Sequence, residues 1–141
     1  MNQLIKRMQA TTIERRRKAI EKYSKPDLYT PTDKEVYDFY HDKKNWGIVR
    51  EEVLRRDKGI DQIELVDFGR IIPGNTVHHI VPLREAWEGR LDPENLETTS
   101  PKNHNREHPE KGNKNLVGKR RSIEALKVAT NVIVSDTTEE L

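Results

Sequence analysis

Histidines are concentrated in one stretch of the chain, and this clustering restricts the possible fold more than any other feature. Four of the five histidines lie within 31 consecutive residues, and only His41 lies outside. His104 and His108 are four residues apart, so on a helix they would share one face and could bind one metal ion. If that helix packs against a strand that carries His78, three imidazoles converge. We therefore expect a strand and a short helix with a metal site between them.

The local sequence predicts these two units and a loop between them. Residues 76–81 (TVHHIV) predict a strand and residues 95–99 a return strand, while 82–94 predict a long loop with one helical turn near Trp87. Ser100 followed by Pro101 is typical of a helix start. Pro109 limits this helix to about two turns, because proline disfavours helical conformation in the residue before it.

Upstream of the strand, the sequence predicts three helices and a β-leaning segment. Capping-box spacings begin at Thr11 and at Thr32. They predict a charged helix over 11–23 with little apolar surface to bury, and a short helix after residue 32. The apolar spacing that starts at Trp46 predicts an amphipathic helix ending near residues 57–59. Residues 60–68 and 70–72 are β-leaning.

The composition allows one compact domain with extensions. The chain has 141 residues, of which 33% are apolar and 35% charged. Because it contains no cysteine, disulfides, thiol catalysis and thiolate zinc sites are excluded, and a metal site must use His, Asp, Glu or Asn. No apolar run is long enough for a membrane span or a signal peptide, so we expect a cytoplasmic protein.

Basic residues form two segments that flank an acidic, histidine-rich centre. Residues 1–24 and 111–121 each carry a net charge of +5, whereas 78–110 sum to −3. Such segments are suited to sequence-independent contacts with a polyanion, although ordinary solvated faces have the same pattern. The predicted phosphate contacts are Arg15, Arg16, Arg17, Lys119, Arg120 and Arg121.

Two neighbouring histidines can perform two different tasks in phosphodiester hydrolysis. This reaction needs a base that deprotonates water and a cation that stabilises the leaving oxygen. His79 follows His78 on the predicted strand, so strand alternation turns it away from the metal. A neutral histidine can act as a base near pH 7. Asn95, at the far end of the loop, can hydrogen-bond backbone across the loop.

Three motifs in this order resemble the HNH endonucleases with the ββα-metal fold, in particular small phage-encoded members. The motifs are VHHIVPL (77–83), NL (95–96) and HNREH (104–108), and WGIVREEVLRRD (46–57) resembles the helix that precedes them in that group. The resemblance implies an α+β fold with a ββα-metal, or His-Me finger, core and flanking helices. It divides the chain into a basic helical extension (1–32), a nuclease domain (33–110) and a basic segment with a tail (111–141).

The resemblance also implies a role for each motif residue. His79 corresponds to the general base and Asn95 to the residue that orients the base loop, which together form the catalytic set. His78 and His104 correspond to metal ligands, and His108 to a further one. Three imidazoles favour Zn, Ni, Mn or Co over Mg, whereas family members often use Mg or Mn. We expect one divalent cation, with Mg, Mn, Ni and Zn left open.

Many relatives carry two CxxC pairs that bind structural zinc, and this chain lacks them. The later pair would fall at Ser100 and Asn103, and the earlier one near Gln62 and Leu65. We therefore expect no structural zinc and a core packed instead. The predicted core residues are Ile63, Leu65, Val66, Phe68, Val77, Ile80 and Leu96.

The sequence favours a metal-dependent endonuclease that acts on DNA, with a divalent cation stabilising the leaving 3′ oxygen. One alternative is a metal-stabilised DNA-binding module without catalysis. A second is an accessory subunit of a phage terminase, because phage HNH proteins are linked to DNA packaging; it would work in the host cytoplasm. No membrane partner is expected.

Overall fold

Helices supply most of the secondary structure, and one small sheet lies among them. The computed structural model describes residues 2–25 and 29–107. In chain order the helices and strands are α1 (Gln3–Tyr23), α2 (Asp33–Tyr40), α3 (Trp46–Arg56), α4 (Gln62–Phe68), β1 (Thr76–His79), β2 (Leu96–Thr99) and α5 (Pro101–Glu107). None of the helices in this part of the chain has the length and apolar composition needed to cross a lipid bilayer.

The two strands form an antiparallel sheet that is followed directly by α5. Register pairs Thr76 with Thr99 and His79 with Leu96. The loop between the strands contains two short 3₁₀ turns, Trp87–Gly89 and Pro93–Asn95. α5 begins at the predicted position, where the Ser100 hydroxyl accepts a hydrogen bond from the Asn103 amide at 3.2 Å. The predicted strand, loop, return strand and short helix are therefore confirmed.

The segment after α3 is helical, so the β-leaning prediction for residues 60–68 was wrong. Asp61 is the N-cap of α4, and its Oδ1 accepts the amides of Ile63 and Glu64 at 2.8 and 2.9 Å. This cap satisfies donors that a strand would have to pair elsewhere. The helix ends at Gly69, which has a φ of 66° in the left-handed region that favours glycine. The caps at Asp61 and Gly69 therefore stabilise a helix although β-branched residues between them favour a strand.

The N-terminal helix is longer than predicted and packs on the domain. α1 begins at Asn2, whose side chain accepts two amides, and Thr11 lies inside the helix with its hydroxyl bonded to the Arg7 carbonyl. The apolar face of α1, which consists of only a few residues, is buried. Its buried residues are Ile13, Ala19, Ile20 and Tyr23. The expectation that this helix has little to bury was wrong, because its few apolar residues meet the loop after β1.

Two apolar clusters lie on the two sides of that loop. One joins α1 to the loop through Ala19, Ile20, Tyr23, Ile80, Val81 and Ala86. The other joins α2 and α3 to the sheet through Phe39, Trp46, Val53, Val77, Leu83 and Leu96. Of the predicted core residues, only Phe68 is wrong, since 52% of it is exposed at the end of α4.

A hydrogen-bonded cluster joins α4 to the start of α5, at Ser100 and Asn103, where the sequence carries no cysteines. Asp61 Oδ2 accepts the Ser100 amide at 2.8 Å and Asn103 Nδ2 at 2.7 Å. Asn103 Nδ2 also donates to Glu64 Oε1 at 3.2 Å. Asp61 and Glu64 therefore face Ser100 and Asn103. They lie one position upstream of Gln62 and Leu65, the predicted pair, and like that pair they are three residues apart, so they lie on one side of α4.

Within residues 2–25 and 29–107, side chains and not a third strand cover the outer edge of β2. Asp57 Oδ2 accepts the Thr98 amide at 2.9 Å, and Arg56 Nη2 donates to the Leu96 carbonyl at 2.7 Å. Together with the bond from the Ser100 amide to Asp61, these contacts satisfy backbone groups that an open strand edge leaves unpaired. The end of α3 and the start of α4 therefore fix the strand that carries the candidate site.

Candidate active site

The two adjacent histidines of β1 lie on opposite faces of the sheet. His78 is paired in register with Glu97, and His79 with Leu96. Because side chains alternate along a strand, His78 and Glu97 share one face and His79 points to the other. Both histidines are buried, with 7% and 5% of their surface exposed.

On the first face, His78 meets the helix that follows the sheet. The rings of His78 and His104 have centroids 5.9 Å apart and perpendicular planes. His104 is half-buried on α5, and its amide bonds to the Ser100 carbonyl at 2.9 Å. Two of the three predicted metal ligands are thus brought together, and His108 lies outside the described residues.

A buried carboxylate that the sequence analysis did not select lies beside His78. Glu97 Oε2 is 3.0 Å from His78 Nε2, and Glu97 is 2% exposed. Arg16 of α1 donates to both of its oxygens, from Nε to Oε1 and from Nη2 to Oε2, each at 3.0 Å. Burial raises the pKa of Glu97, but the Arg16 charge and the His78 hydrogen bond outweigh burial, and the pKa lies well below its ordinary value. The carboxylate is therefore ionised.

On the second face, His79 is surrounded by aromatic rings. Trp46 stacks on it with centroids 5.5 Å apart and an interplanar angle of 16°, and Phe39 and Tyr40 contact its edges. His79 Nε2 is 3.0 Å from the Arg90 carbonyl oxygen. A carbonyl can only accept, so Nε2 carries a proton, and in the neutral form of the ring Nδ1 is the basic nitrogen. Trp46 is a core residue, and it also supports this ring.

Asn95 joins the start of the loop to its middle by hydrogen bonds to backbone groups. Its Oδ1 accepts the Val81 amide at 2.8 Å, and its Nδ2 donates to the carbonyls of Val81 and Gly89 at 3.1 and 3.3 Å. The side chain is fully buried. Because Gly89 precedes Arg90, these bonds fix the carbonyl that holds His79.

The three predicted phosphate contacts of α1 have different environments. Arg17 is half exposed and pairs with Glu14. Arg15 lies 3.6 Å from Asp57 with 16% of its side chain exposed, and burial and neighbouring Arg56 lower its pKa. Arg16 is 13% exposed against Glu97. Two of the three guanidinium groups therefore face the interior; Lys119, Arg120 and Arg121 lie outside the described residues, as does the predicted 111–141 segment.

The donor set around His78 fits a divalent metal ion. Since Glu97 occupies Nε2 of His78, Nδ1 is the ring nitrogen that would bind a metal, and His104 supplies a second imidazole on the same side. Within residues 2–25 and 29–107, no three His, Asp or Glu side chains form a complete metal cluster. Two imidazoles leave further coordination positions for water or substrate, as in catalytic rather than structural sites.

A two-stranded antiparallel sheet with a histidine pair on its first strand and a histidine on the following helix defines the ββα-metal class of nuclease folds. The HNH endonuclease family model matches residues 66–110. The crystal structure of the HNH endonuclease of the deep-sea thermophilic bacteriophage GVE2, with a manganese ion, is 32% identical with a TM-score of 0.52. The similarity covers 58% of this chain and 87% of that one. No curated protein matches the sequence.

The chain therefore belongs to the HNH endonuclease family and is a hydrolase of phosphodiester bonds. The predicted family, fold class and type of enzyme are confirmed. The family model covers the sheet, the loop and α5, whereas α1, which supplies Arg16, lies outside it.

Sequence reasoning missed Glu97 and the role of Arg16. An acidic residue in a predicted strand among Leu96, Thr98 and Thr99 is a signal for a buried charge, because carboxylates are rarely buried unless paired. Counting the antiparallel register back from the loop would also place it opposite His78. Arg16 has no comparable signal, since it lies 81 residues from its partner.

Proposed function

We propose that this endonuclease hydrolyses DNA with His79 as the general base and a divalent cation bound by His78, His104 and His108. Asn95 orients the loop that holds the base. The observation that carries this proposal is the separation of the two histidines, with His78 facing His104 and His79 bonded through Nε2 to the Arg90 carbonyl.

The residues of this chain account for the movement of one proton. His79 Nδ1 accepts a proton from water, and the water oxygen forms a bond to phosphorus. The bond between phosphorus and the 3′ oxygen breaks with its electron pair on that oxygen, and His79 then releases its proton to solvent. A bound divalent cation supplies positive charge that stabilises the leaving oxygen. Asn95 does not touch substrate and acts by fixing the loop.

Manganese is the first ion to test, because the GVE2 HNH endonuclease was solved with it. Mg, Ni and Zn complete the series. The donor set of imidazoles supports a transition metal, while substrate phosphate and water supply the oxygens that Mg²⁺ prefers.

Phosphate contacts outside the centre are assigned to Arg17, Lys119, Arg120 and Arg121. Arg15 and Arg16 are better assigned to the ion pairs that they form inside the domain. Similarity to a phage enzyme supports a phage origin. The terminase partner and the host cytoplasm as the place of action stay proposals that the assays below test.

A plasmid-nicking assay over the metal series tests the roles of the histidines. The His79→Ala variant is expected to bind Mn²⁺ like the wild type and to lose cleavage by about 100-fold or more, as expected when a general base is removed. The His104→Ala variant is expected to lose Mn²⁺ affinity, measured by isothermal titration calorimetry. His41→Ala is the matched control, because His41 is exposed and stacks on Tyr37 away from both faces.

Three outcomes decide between this function and its alternatives. Full cleavage by His79→Ala would refute the base assignment. Metal uptake by the wild type without cleavage of any DNA would support the non-catalytic binding module. Weak cleavage that rises when a terminase subunit is added would support the accessory role.

A further inference from the structure

Three polar side chains from three different segments, of which Glu97 and His78 are buried and Arg16 is half-buried, form a continuous chain that ends at a proposed metal ligand. Arg16 comes from α1, Glu97 from β2 and His78 from β1. Arg16 holds both carboxylate oxygens of Glu97 at 3.0 Å, and Glu97 Oε2 is 3.0 Å from His78 Nε2. The Arg16 Nη2 group also reaches the Gln62 carbonyl at 3.5 Å, which fixes the guanidinium against α4.

This arrangement determines which nitrogen of His78 faces a metal. Both oxygens of Glu97 accept hydrogen bonds from Arg16, so Oε2 is an acceptor toward His78 and the proton of the neutral ring resides on Nε2. The electron pair is then on Nδ1. Because Arg16 grips the carboxylate through two parallel bonds, Glu97 cannot rotate away, and the ring of His78 is held in one tautomer and one orientation.

The chain of contacts is costly to keep for stability alone. Burying a carboxylate and a guanidinium removes both from water, and apolar residues of similar size often serve a core equally well. An outer carboxylate that accepts the second N–H of a metal-binding histidine has a different use, since it sets the tautomer and orients the ring. The position of Glu97, directly opposite His78 in the strand register, is the position that this use requires.

We propose that Glu97 and Arg16 are positioning residues of the metal centre, so that the N-terminal helix is a working part of the nuclease rather than an attached arm. The proposal rests on the proposed binding of metal by His78. Neither residue touches the metal or the substrate; both act through the orientation of His78.

The Glu97→Gln variant gives a test that does not depend on cleavage. In this variant the amide oxygen of the glutamine stays toward Arg16, so the amide NH₂ group turns toward His78. Nε2 of His78 must then accept a hydrogen bond instead of donating one. The proton of His78 moves to Nδ1, the nitrogen that the metal needs. Long-range ¹H–¹⁵N NMR on the metal-free protein at about pH 8 is expected to show an Nε2–H ring in the wild type and an Nδ1–H ring in the variant.

Metal affinity provides the second measurement. Titration with Mn²⁺, followed by electron paramagnetic resonance, is expected to show binding about 10- to 100-fold weaker for Glu97→Gln. Arg16→Lys keeps the charge but loses the two parallel bonds, and it is expected to weaken binding about 10-fold. The matched controls are Glu94→Gln and Arg55→Lys, which change exposed residues without an assigned role and should bind Mn²⁺ like the wild type. Circular dichroism confirms that each variant is folded.

The possible failures are distinguishable. If His78→Ala binds Mn²⁺ as tightly as the wild type, the proposed metal site itself is wrong. If His78→Ala loses binding while Glu97→Gln and Arg16→Lys retain both the Nε2–H ring and wild-type affinity, only the positioning role is overturned. If Glu97→Gln does not fold, Arg16→Lys decides the question by its Mn²⁺ affinity: weaker binding supports the positioning role and wild-type affinity overturns it.

Discussion

Asn95 illustrates how much of the site depends on one buried amide. Replacing it by alanine leaves the Val81 amide and the Val81 and Gly89 carbonyls without their partners inside the domain. We expect Asn95→Ala to lower the free energy of unfolding by about 3 kcal/mol, since each unpaired buried group costs about 1–3 kcal/mol. Cleavage should fall as well, because the Arg90 carbonyl no longer holds His79 firmly.

Urea denaturation and plasmid nicking measure the two effects of Asn95→Ala. Asn75→Ala serves as the control, because Asn75 is exposed and its side chain bonds only to neighbouring Thr76. A variant with wild-type stability would contradict the role assigned to the amide, and one that is destabilised but cuts at the wild-type rate would contradict its link to the base.

Sequence patterns that extend over a few residues predicted the arrangement of the candidate site. They could not predict contacts between residues that are far apart in the sequence. The histidine spacing and the position of Asn95 follow from strand alternation and helix periodicity over a few residues. The ion pair between Arg16 and Glu97 spans 81 residues, and no period in the sequence connects the two positions. For the same reason, arginines that look like a basic patch in the sequence include two that are folded into the domain.

The helices and strands differ in how well their own sequences define them. α2, α3, β1, β2 and α5 carry strong local signals and were predicted close to their observed bounds. α4 was missed because its apolar, β-branched residues favour a strand, whereas the single Asp61 cap and its contacts with α5 decide the conformation. The start of α1 was missed because Thr11 imitates a cap within a helix that Asn2 begins.

Gly74 and Gly47 provide opposite predictions for the same substitution. A Cβ at Gly74 would lie 2.8 Å from the Thr99 carbonyl oxygen, so β2 would have to shift. We expect Gly74→Ala to destabilise the protein by about 1–3 kcal/mol through overpacking. At Gly47, in the first turn of α3, the nearest atom is 3.9 Å away. Gly47→Ala should stabilise by about 0.5 kcal/mol, because alanine favours a helix.

Thermal and urea unfolding of these two variants test whether β2 packs closely against the turn before β1. Equal effects of the two alanines would contradict the close approach at Gly74.

Acid should weaken the junction between α4 and α5. Burial raises the pKa of Asp61, but the hydrogen bonds from Ser100, the Glu64 amide and Asn103 outweigh it, so the pKa in the folded protein is lowered. The stability that this group contributes is therefore fully present above the unfolded pKa of about 3.9 and is lost as the pH falls through the folded value.

Asp61→Asn should remove this contribution. An amide turns donor hydrogens toward the Ser100 amide and Asn103, so we expect a loss of about 2–3 kcal/mol at pH 7 and a flatter dependence of stability on pH below about 4. Urea titrations between about pH 3 and pH 7 measure both. Asp38→Asn, which changes an exposed residue paired only with Lys34, should keep the wild-type profile. A variant with unchanged acid sensitivity would show that other carboxylates dominate.

The excess of positive charge lies in two segments of the chain, residues 1–24 and 111–121. In the structure, the arginines of the first segment differ in their exposure to solvent. α1 directs Arg15 and Arg16 to internal carboxylates and leaves Arg17 half exposed. Binding to DNA phosphates releases counterions, and each contact contributes about 0.9 to the slope of log affinity against log salt. The number of phosphate contacts is therefore smaller than the basic count suggests, and the slope measures it.

In a His79→Ala background that prevents cutting, neutralising Lys119, Arg120 and Arg121 to glutamine together should lower the slope by about 2–3, and Arg17→Gln should lower it by about 1. Fluorescence anisotropy of a labelled duplex over a KCl series measures it. Lys34→Gln is the control, because Lys34 pairs with Asp38 on α2. A slope that does not change with either substitution would mean that DNA is held by the face around the histidines alone. A change in slope would show instead that the substituted residues contact DNA phosphates, which position the protein but do not read the base sequence.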